Sequence, residues 1–234
     1  MIFVDVSHWN PEAAAAAGRV ADSAMDWDLA VKSGLVGAVV KFSQGVSVID
    51  PAALLHTQNA KMAHVPLLGA YHFGTDDAGK VQAYWFLDCV KQSYGTDLSN
   101  VMLMLDAEKF PEQMTVTIAE AFVETVFAET GRWPWLYMGK DGPDGSGKGL
   151  PSSVLVNCQL SVPAWGKHGK YLKSILPPGW DVSPSPIPAK GLLRGWQFTN
   201  GTVNGGTFPG LGVVDQSTFV GVSTLSEARA IWTF

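Results

Sequence analysis

The chain has 234 residues, a length that α/β barrels routinely fill with one core, so residues 1–234 are read as a single domain. With 47% hydrophobic and 16% charged residues a sizeable core can form and wholesale disorder is excluded. A net charge of -5 gives no general attraction for phosphates, which argues against a nucleic-acid partner, and no apolar run approaches the ~18 residues of a membrane span.

Short apolar runs recur along the chain at Ile2 to Val4, Gly37 to Phe42, Leu67 to Phe73, Val101 to Leu105 and Trp133 to Met138. Continuous apolarity of that length predicts buried strands of a largely parallel sheet. Further runs at Val154 to Val162, Leu193 to Thr199 and Leu211 to Val214 bring the count to eight, which suggests a barrel. Asn10 to Gly18, with Pro11 at a first helical position and five alanines behind it, predicts a short helix after the first strand. Ala83, Phe86, Leu87 and Val90 share one helical face, as do Ile118, Ala121, Phe122 and Val126, and Gly131 suits the left-handed end of the second helix. Beyond about residue 139 helical periodicity fades into strands and two loops, Asp141 to Ser153 and Pro177 to Lys190.

Polar residues stand where these strands end: Asp5, Lys41, His72, Asp106 with Glu108, Tyr137, Gln197 and Asp215. In a parallel barrel such ends share one rim. On an extended chain Asp106 and Glu108 point to the same side, ~7 Å apart along the backbone, so each carboxyl raises the other's pKa and one can stay protonated near neutrality. Paired carboxyls are what glycoside cleavage requires. Taken alone, two acids at a strand end are more often a solvated turn; the repetition at other strand ends changes that balance.

Gly142 to Lys148 reads G-x-x-x-x-G-K, but Gly149 replaces the Ser or Thr of a nucleotide loop and Pro151 follows instead of a helix. The histidines His8, His56, His64, His72 and His168 lack metalloprotease spacing and the two cysteines, Cys89 and Cys158, form no C-x-x-C pair, so neither metal nor cofactor is expected. His72 has a second reading as a hydrogen-bonded core residue, and Lys41 as half of a structural ion pair. Trp9, Trp27 and Trp133 are assigned to the core, while the roles of Trp165, Trp180 and Trp196 stay open.

Several motifs resemble those of the glycoside hydrolase family 25 lysozymes. Asp5-Val6-Ser7-His8-Trp9 is similar to D-V-S-x-W, Asp26-Trp27 to the following D-W, and Lys41-Phe42-Ser43-Gln44-Gly45 to K-x-[ST]-[EQ]-G with Asp50 behind it. Gly69 to Phe73 matches G-x-Y-H-F, Asp106-Ala107-Glu108 the D-x-E, Trp196 to Thr199 the W-Q-[YF]-T, and Val214-Asp215 the closing V-D. The order is kept throughout. The stretch from Asn10 to Met25 is longer than the usual link, and the register of Leu160 to Trp165 against the family's L-W-[IV]-A-x-Y is open.

The resemblance implies an α/β fold, a modified TIM-like barrel of eight strands with fewer than eight helices, (β/α)5(β)3-like. It also implies that residues 1–234 form a single catalytic domain without a separate wall-binding domain, an N-acetylmuramidase cleaving the β-1,4 bond from N-acetylmuramic acid to N-acetylglucosamine in bacterial peptidoglycan; a monomer without membrane insertion is expected. Glu108 becomes the general acid, Asp106 the group that stabilises positive charge, and Asp5 and Asp215 flanking catalytic acids. Tyr71, Tyr137, Lys41, His72 and Gln197 become candidates for binding substrate or supporting the cleft. A non-catalytic glycan-binding barrel and a chitin-cleaving hydrolase are the alternatives. The N-terminus shows no secretory signal, so the expected pattern is that of a phage lysin, cytoplasmic until released, or of a protein exported by another route.

Overall fold

The computed structural model describes residues 1–10, 25–108, 114–165, 169–183, 189–200 and 206–234. The expected helix from Asn10 to Gly18 lies outside them apart from Asn10, as do the prolines at 184, 186 and 188 and His168. The first half alternates strand and helix: β1 (Ile2–Val6), α1 (Trp27–Lys32), β2 (Leu35–Gln44), β3 (Val48–Ile49), α2 (Ala53–Met62), β4 (Leu67–Phe73), α3 (Gly79–Tyr94), β5 (Val101–Asp106) and α4 (Val116–Thr130). The second half carries β6 (Trp135–Tyr137), β7 (Leu160–Pro163), β8 (Leu193–Asn200), the small β9 (Thr207–Phe208) and β10 (Gly212–Val213), β11 (Asp215–Phe219) and α5 (Leu225–Trp232).

The barrel closes in the order β1-β11-β8-β7-β6-β5-β4-β2, with β2 pairing back to β1 and β3 as an edge extension. Barrel neighbours from β1 by way of β2, β4, β5, β6 and β7 to β8 run parallel, whereas β11 is antiparallel to both β1 and β8, and the edge strand β3 is antiparallel to β2. This is the modified TIM-like barrel expected, with five α-helices among the described residues.

Two of the expected strands differ. The last barrel strand is Asp215–Phe219 instead of Leu211 to Val214, which supplies β10 and the turn before it. Its Gln216 and Ser217 are buried polar residues inside a fully paired strand, so apolarity alone misses it. Of Val154 to Val162 only the end is strand; Leu155–Asn157 is a turn of 3-10 helix.

Alternation along the strands divides the core in two. Val4, Leu103, Leu105 and Leu136 face outward and bury against the helices, whereas Phe3, Met102, Met104 and Trp135 fill the barrel interior. Helix α3 packs its buried Ala83, Phe86, Leu87 and Val90 on the sheet beside α4, which ends at Gly131 with φ 72.

Helix α5 plugs the floor of the barrel with Ala228, Ile231 and Trp232, and the Trp232 ring meets Phe3 edge-on at 5.5 Å. Trp232 Nε1 donates to Leu68 O at 2.7 Å and Trp135 Nε1 to Ile231 O at 3.2 Å, satisfying both buried indoles. Room for these rings comes from inward-facing glycines: a Cβ on Gly195 would stand 2.5 Å from Ser161 Oγ and 3.2 Å from Trp135, and one on Gly37 3.2 Å from Trp232. The plug begins with a capping box, Thr224 accepting from Glu227 N and the Glu227 carboxylate accepting from Thr224 N. That T-x-x-E spacing marks a helix within a half of the chain expected to be strand and loop.

Candidate active site

The same alternation places chemistry at the open end. Phe3 leads to Asp5, Val39 to Lys41, Gly69 to Tyr71, Met104 to Asp106, Trp135 to Tyr137 and Gly195 to Gln197, each pair two residues apart and so facing the same way. Asp215 starts β11, but because that strand is antiparallel its first residue lies at the rim where its neighbours end, directly opposite Asp5. Past Asp106 the strand pairing continues for one residue, Ala107 N donating to Tyr137 O at 2.8 Å, which holds Glu108 at the same rim.

These residues enclose a cleft of about 520 Å³ lined by Asp5, Lys41, Tyr71, Asp106, Glu108, Tyr137, Gln197 and Asp215. His72 is not among them. One residue beyond Tyr71, it faces the helices, wholly buried, with Nδ1 2.9 Å from Ser43 Oγ, Nε2 3.1 Å from Gln82 Oε1 and its ring stacked on Phe122 at 5.0 Å. Burial lowers its pKa to about 4, so it is neutral; its reading as a core histidine is the one the geometry supports. Lys41 makes no ion pair among the described residues. Its ammonium donates to Gln44 Oε1 at 2.9 Å and lies 4.8 Å over the Phe73 ring.

The rim is an acid cluster short of cations. Burial is the main reason that Asp5 is raised to about 6 and Asp215 to about 8, and for Asp215 the Asp5 charge and a hydrogen bond between the two carboxyls add to it. Two carboxyls opposed across an antiparallel pair cannot both ionise cheaply, so Asp215 keeps the proton and donates it to Asp5. Asp106 is raised well above the usual carboxylate range by burial, then by Glu108 and Asp5, with Lys41 opposing. Its Oδ1 has no hydrogen-bond partner among the described residues. Glu108 is raised by burial, and the Tyr137 hydroxyl offsets this in part.

Gln197 ties the cluster together. Its Oε1 accepts from Tyr137 Oη at 2.8 Å and Trp165 Nε1 at 2.8 Å, while Nε2 donates to Asp5 at 3.0 Å and Asp215 at 3.5 Å. All four bonds agree on one amide orientation, so this side chain braces the acids.

Asp215→Asn is expected to test that proton. A carboxyl whose pKa is raised on folding supports stability below its unfolded pKa and loses that support as pH rises, here through about 8 for Asp215. The amide mimics the protonated acid and cannot ionise. The variant should gain about 1 kcal/mol or more at pH 8, ~2–4 °C in Tm for a chain of this size, and much less at pH 5. Melting curves at the two pH values check this; equal shifts at both would contradict a shared proton.

Two tryptophans join the lining that sequence reading did not place there. Trp9, assigned to the core, is 64% exposed on the cleft lip, its ring tilted against His8 with centroids 4.5 Å apart. His8 Nδ1 in turn lies 2.7 Å from the buried Asp50 carboxylate. The signal for a rim position was that Trp9 follows β1 by three residues, beyond the strand end that carries Asp5. Trp165, 42% exposed, is fixed by its bond to Gln197. Trp27 and Trp180 are buried, and Trp196 bonds Ala164 O away from the cleft.

A barrel whose open end gathers buried, mutually perturbed carboxyls beside exposed indoles has the equipment of a glycoside hydrolase. The profile of glycosyl hydrolases family 25 matches residues 4–206, and the chain belongs to that family. Among solved structures it is similar to the bacterial lysozyme from Streptomyces coelicolor, with 21% identity, TM-score 0.69 and coverage of 100% of this chain and 97% of that one. A family GH25 lysozyme from Aspergillus fumigatus gives 20%, 0.68, 100% and 99%. The catalytic domain of endolysin ply40 from bacteriophage P40 of Listeria monocytogenes gives 17%, 0.60, 98% and 97%. No curated protein is a significant sequence match.

Proposed function

We propose that this glycoside hydrolase cuts the glycan strands of bacterial peptidoglycan at the β-1,4 bond from N-acetylmuramic acid to N-acetylglucosamine, with Glu108 as general acid. The observation that carries the proposal is the pairing of Asp106 with Glu108 on one side of a strand end that opens into the cleft, in a chain of family 25. Glu108, raised by burial and only partly enclosed, can hold a proton near neutral pH and deliver it to the departing sugar oxygen. Asp106 then receives the positive charge that develops at the sugar ring; its unpartnered Oδ1 suits the N–H of a substrate acetamido group swung in to act as nucleophile. Asp5 and Asp215 tune the pair through their charge, and Lys41, Tyr71 and Tyr137 bound the ring-binding space.

Every group in this scheme comes from one chain, in keeping with action as a monomer. No helix among the described residues is long and apolar enough to cross a membrane. Similarity to an endolysin catalytic domain supports a lysin that meets the wall after release from the cytoplasm.

The identity of the new reducing end tests the bond assignment. Purified peptidoglycan digested with the protein and reduced with borohydride should yield muramitol. Glucosaminitol instead, or sugar release from colloidal chitin without release from peptidoglycan, would refute the muramidase reading.

A further inference from the structure

Every partner of the Gln197 amide but one can take its hydrogen bond in either sense. The Tyr137 hydroxyl donates or accepts, and Asp5 and Asp215 share a proton that either of them can turn toward the amide. With the amide turned over and these protons reversed together, each of the three would again be satisfied. The Trp165 indole breaks the symmetry, because Nε1–H is a donor at any pH and never an acceptor. At 2.8 Å it requires the oxygen of the amide on its side and so sends the nitrogen toward the acids.

Trp165 is itself held in place. Ala164 N donates to Gln197 O at 3.0 Å, and Ala164 O accepts from Trp196 Nε1 at 3.2 Å. Both backbone groups of the residue before Trp165 are therefore tied to β8, the strand whose Gln197 side chain the indole meets.

With the amide oxygen so placed, it takes the proton of Tyr137 Oη at 2.8 Å. The same hydroxyl lies beside the Glu108 carboxyl, whose pKa it lowers when it donates there. It has one proton and cannot give it to both acceptors. While Gln197 takes that proton, Oη turns only lone pairs toward Glu108. A protonated Glu108 donates to them, whereas a carboxylate is repelled.

We infer that Trp165 and Gln197 are positioning residues that act through the Tyr137 hydroxyl to hold a proton on Glu108, keeping the acid loaded before substrate arrives. The catalytic meaning of the inference rests on the proposed role of Glu108; the place of the proton does not. When Glu108 gives its proton to the departing sugar oxygen, the carboxylate left behind draws the Tyr137 hydroxyl round to donate to it. That turn exchanges one hydrogen bond for another and breaks no covalent bond.

The other charged groups around Glu108 are Asp106 on its own strand segment, Asp5 from β1, Asp215 from β11, and Lys140 with Asp141 from the loop after β6. None of them bonds Trp165 among the described residues, so removing the indole N–H isolates the relay. Trp165→Phe does this and keeps an aromatic ring on the cleft wall. Carbon-13 NMR of the glutamate carboxyls, with the Glu108 signal assigned by its loss in Glu108→Gln, follows protonation in the protein alone. The Glu108 midpoint is expected to fall by about one pH unit in Trp165→Phe, the size of one hydrogen bond to a carboxylate. The basic limb of kcat/KM on peptidoglycan should move down with it. In a Tyr137→Phe background the same substitution should leave the midpoint in place, because the hydroxyl that carries the effect is gone. Should Trp165→Phe not fold, Gln197→Met, which removes the acceptor itself, takes its place in both comparisons. A midpoint that does not move, or that moves equally without the Tyr137 hydroxyl, would overturn the relay whatever the protein cuts. A midpoint that falls as expected in a protein that leaves peptidoglycan intact would uphold the relay and remove the proposed function.

Discussion

Glu108→Gln should abolish turnover while leaving the fold intact. The amide keeps the size of the side chain and can still meet the Tyr137 hydroxyl, but it has no proton to give to a departing sugar oxygen. Loss of a general acid costs ~100 to 10,000-fold, and a sugar alkoxide is a poor leaving group, which favours the upper part of that range. Because the pKa of Glu108 is raised by burial, removing the carboxyl also relieves an unfavourable charge, and the variant should melt no lower than the parent at neutral pH. Wall-lysis rates alongside melting curves give the measurement. A folded Glu108→Gln protein that clears peptidoglycan at near the parental rate would remove Glu108 from the mechanism.

Asp106→Asn is the second large effect expected. An interaction that strengthens as charge develops acts on kcat and much less on ground-state binding, so kcat should drop about 100-fold or more with KM within a few-fold. Product stereochemistry accompanies it. With the acetamido group as nucleophile, two inversions return the starting configuration, and the first product seen by NMR in the parent protein is the β anomer. An initial α anomer would mean that a carboxylate activates water for direct displacement, and Asp5 or Asp215 would become the candidates for that base.

The strand ends that build this site were readable in the sequence because an interior position two residues before each rim group is apolar or glycine, as in Met104 before Asp106 and Gly69 before Tyr71. Periodicity of two cannot say which face is the interior, and that is why His72, one residue from Tyr71, entered the candidate set although it packs against Phe122. The position of Asp215 was legible but its strand was not, since Gln216 and Ser217 are held inside by backbone pairing to β1 and β8. Trp9 shows the reverse failure: a large apolar residue is taken for core by default, and only the path of the chain beyond Ser7 turns it to solvent. Helix α5 escaped because its 8 residues are fewer than the ~11–18 over which helical periodicity is read, although its face is amphipathic and its capping box was plain. The bracing role of Gln197 depends on four partners from β1, β6, β11 and the segment after β7, and no local pattern encodes such a meeting.

The antiparallel insertion of β11 between β1 and β8, with α5 sealing the floor behind it, also dictates when the molecule can become an enzyme. Strand β1 is made before either of its partners, one of its two edges stays open until residues 215–219 are made, and the interior around Phe3 stays wet until Trp232 follows. Asp5 and Asp215 are far apart in the sequence yet share one proton. A chain that stops short of β11 therefore holds the D-x-E strand and Asp5 but lacks Asp215, and the acid cluster is complete only once β11 has docked.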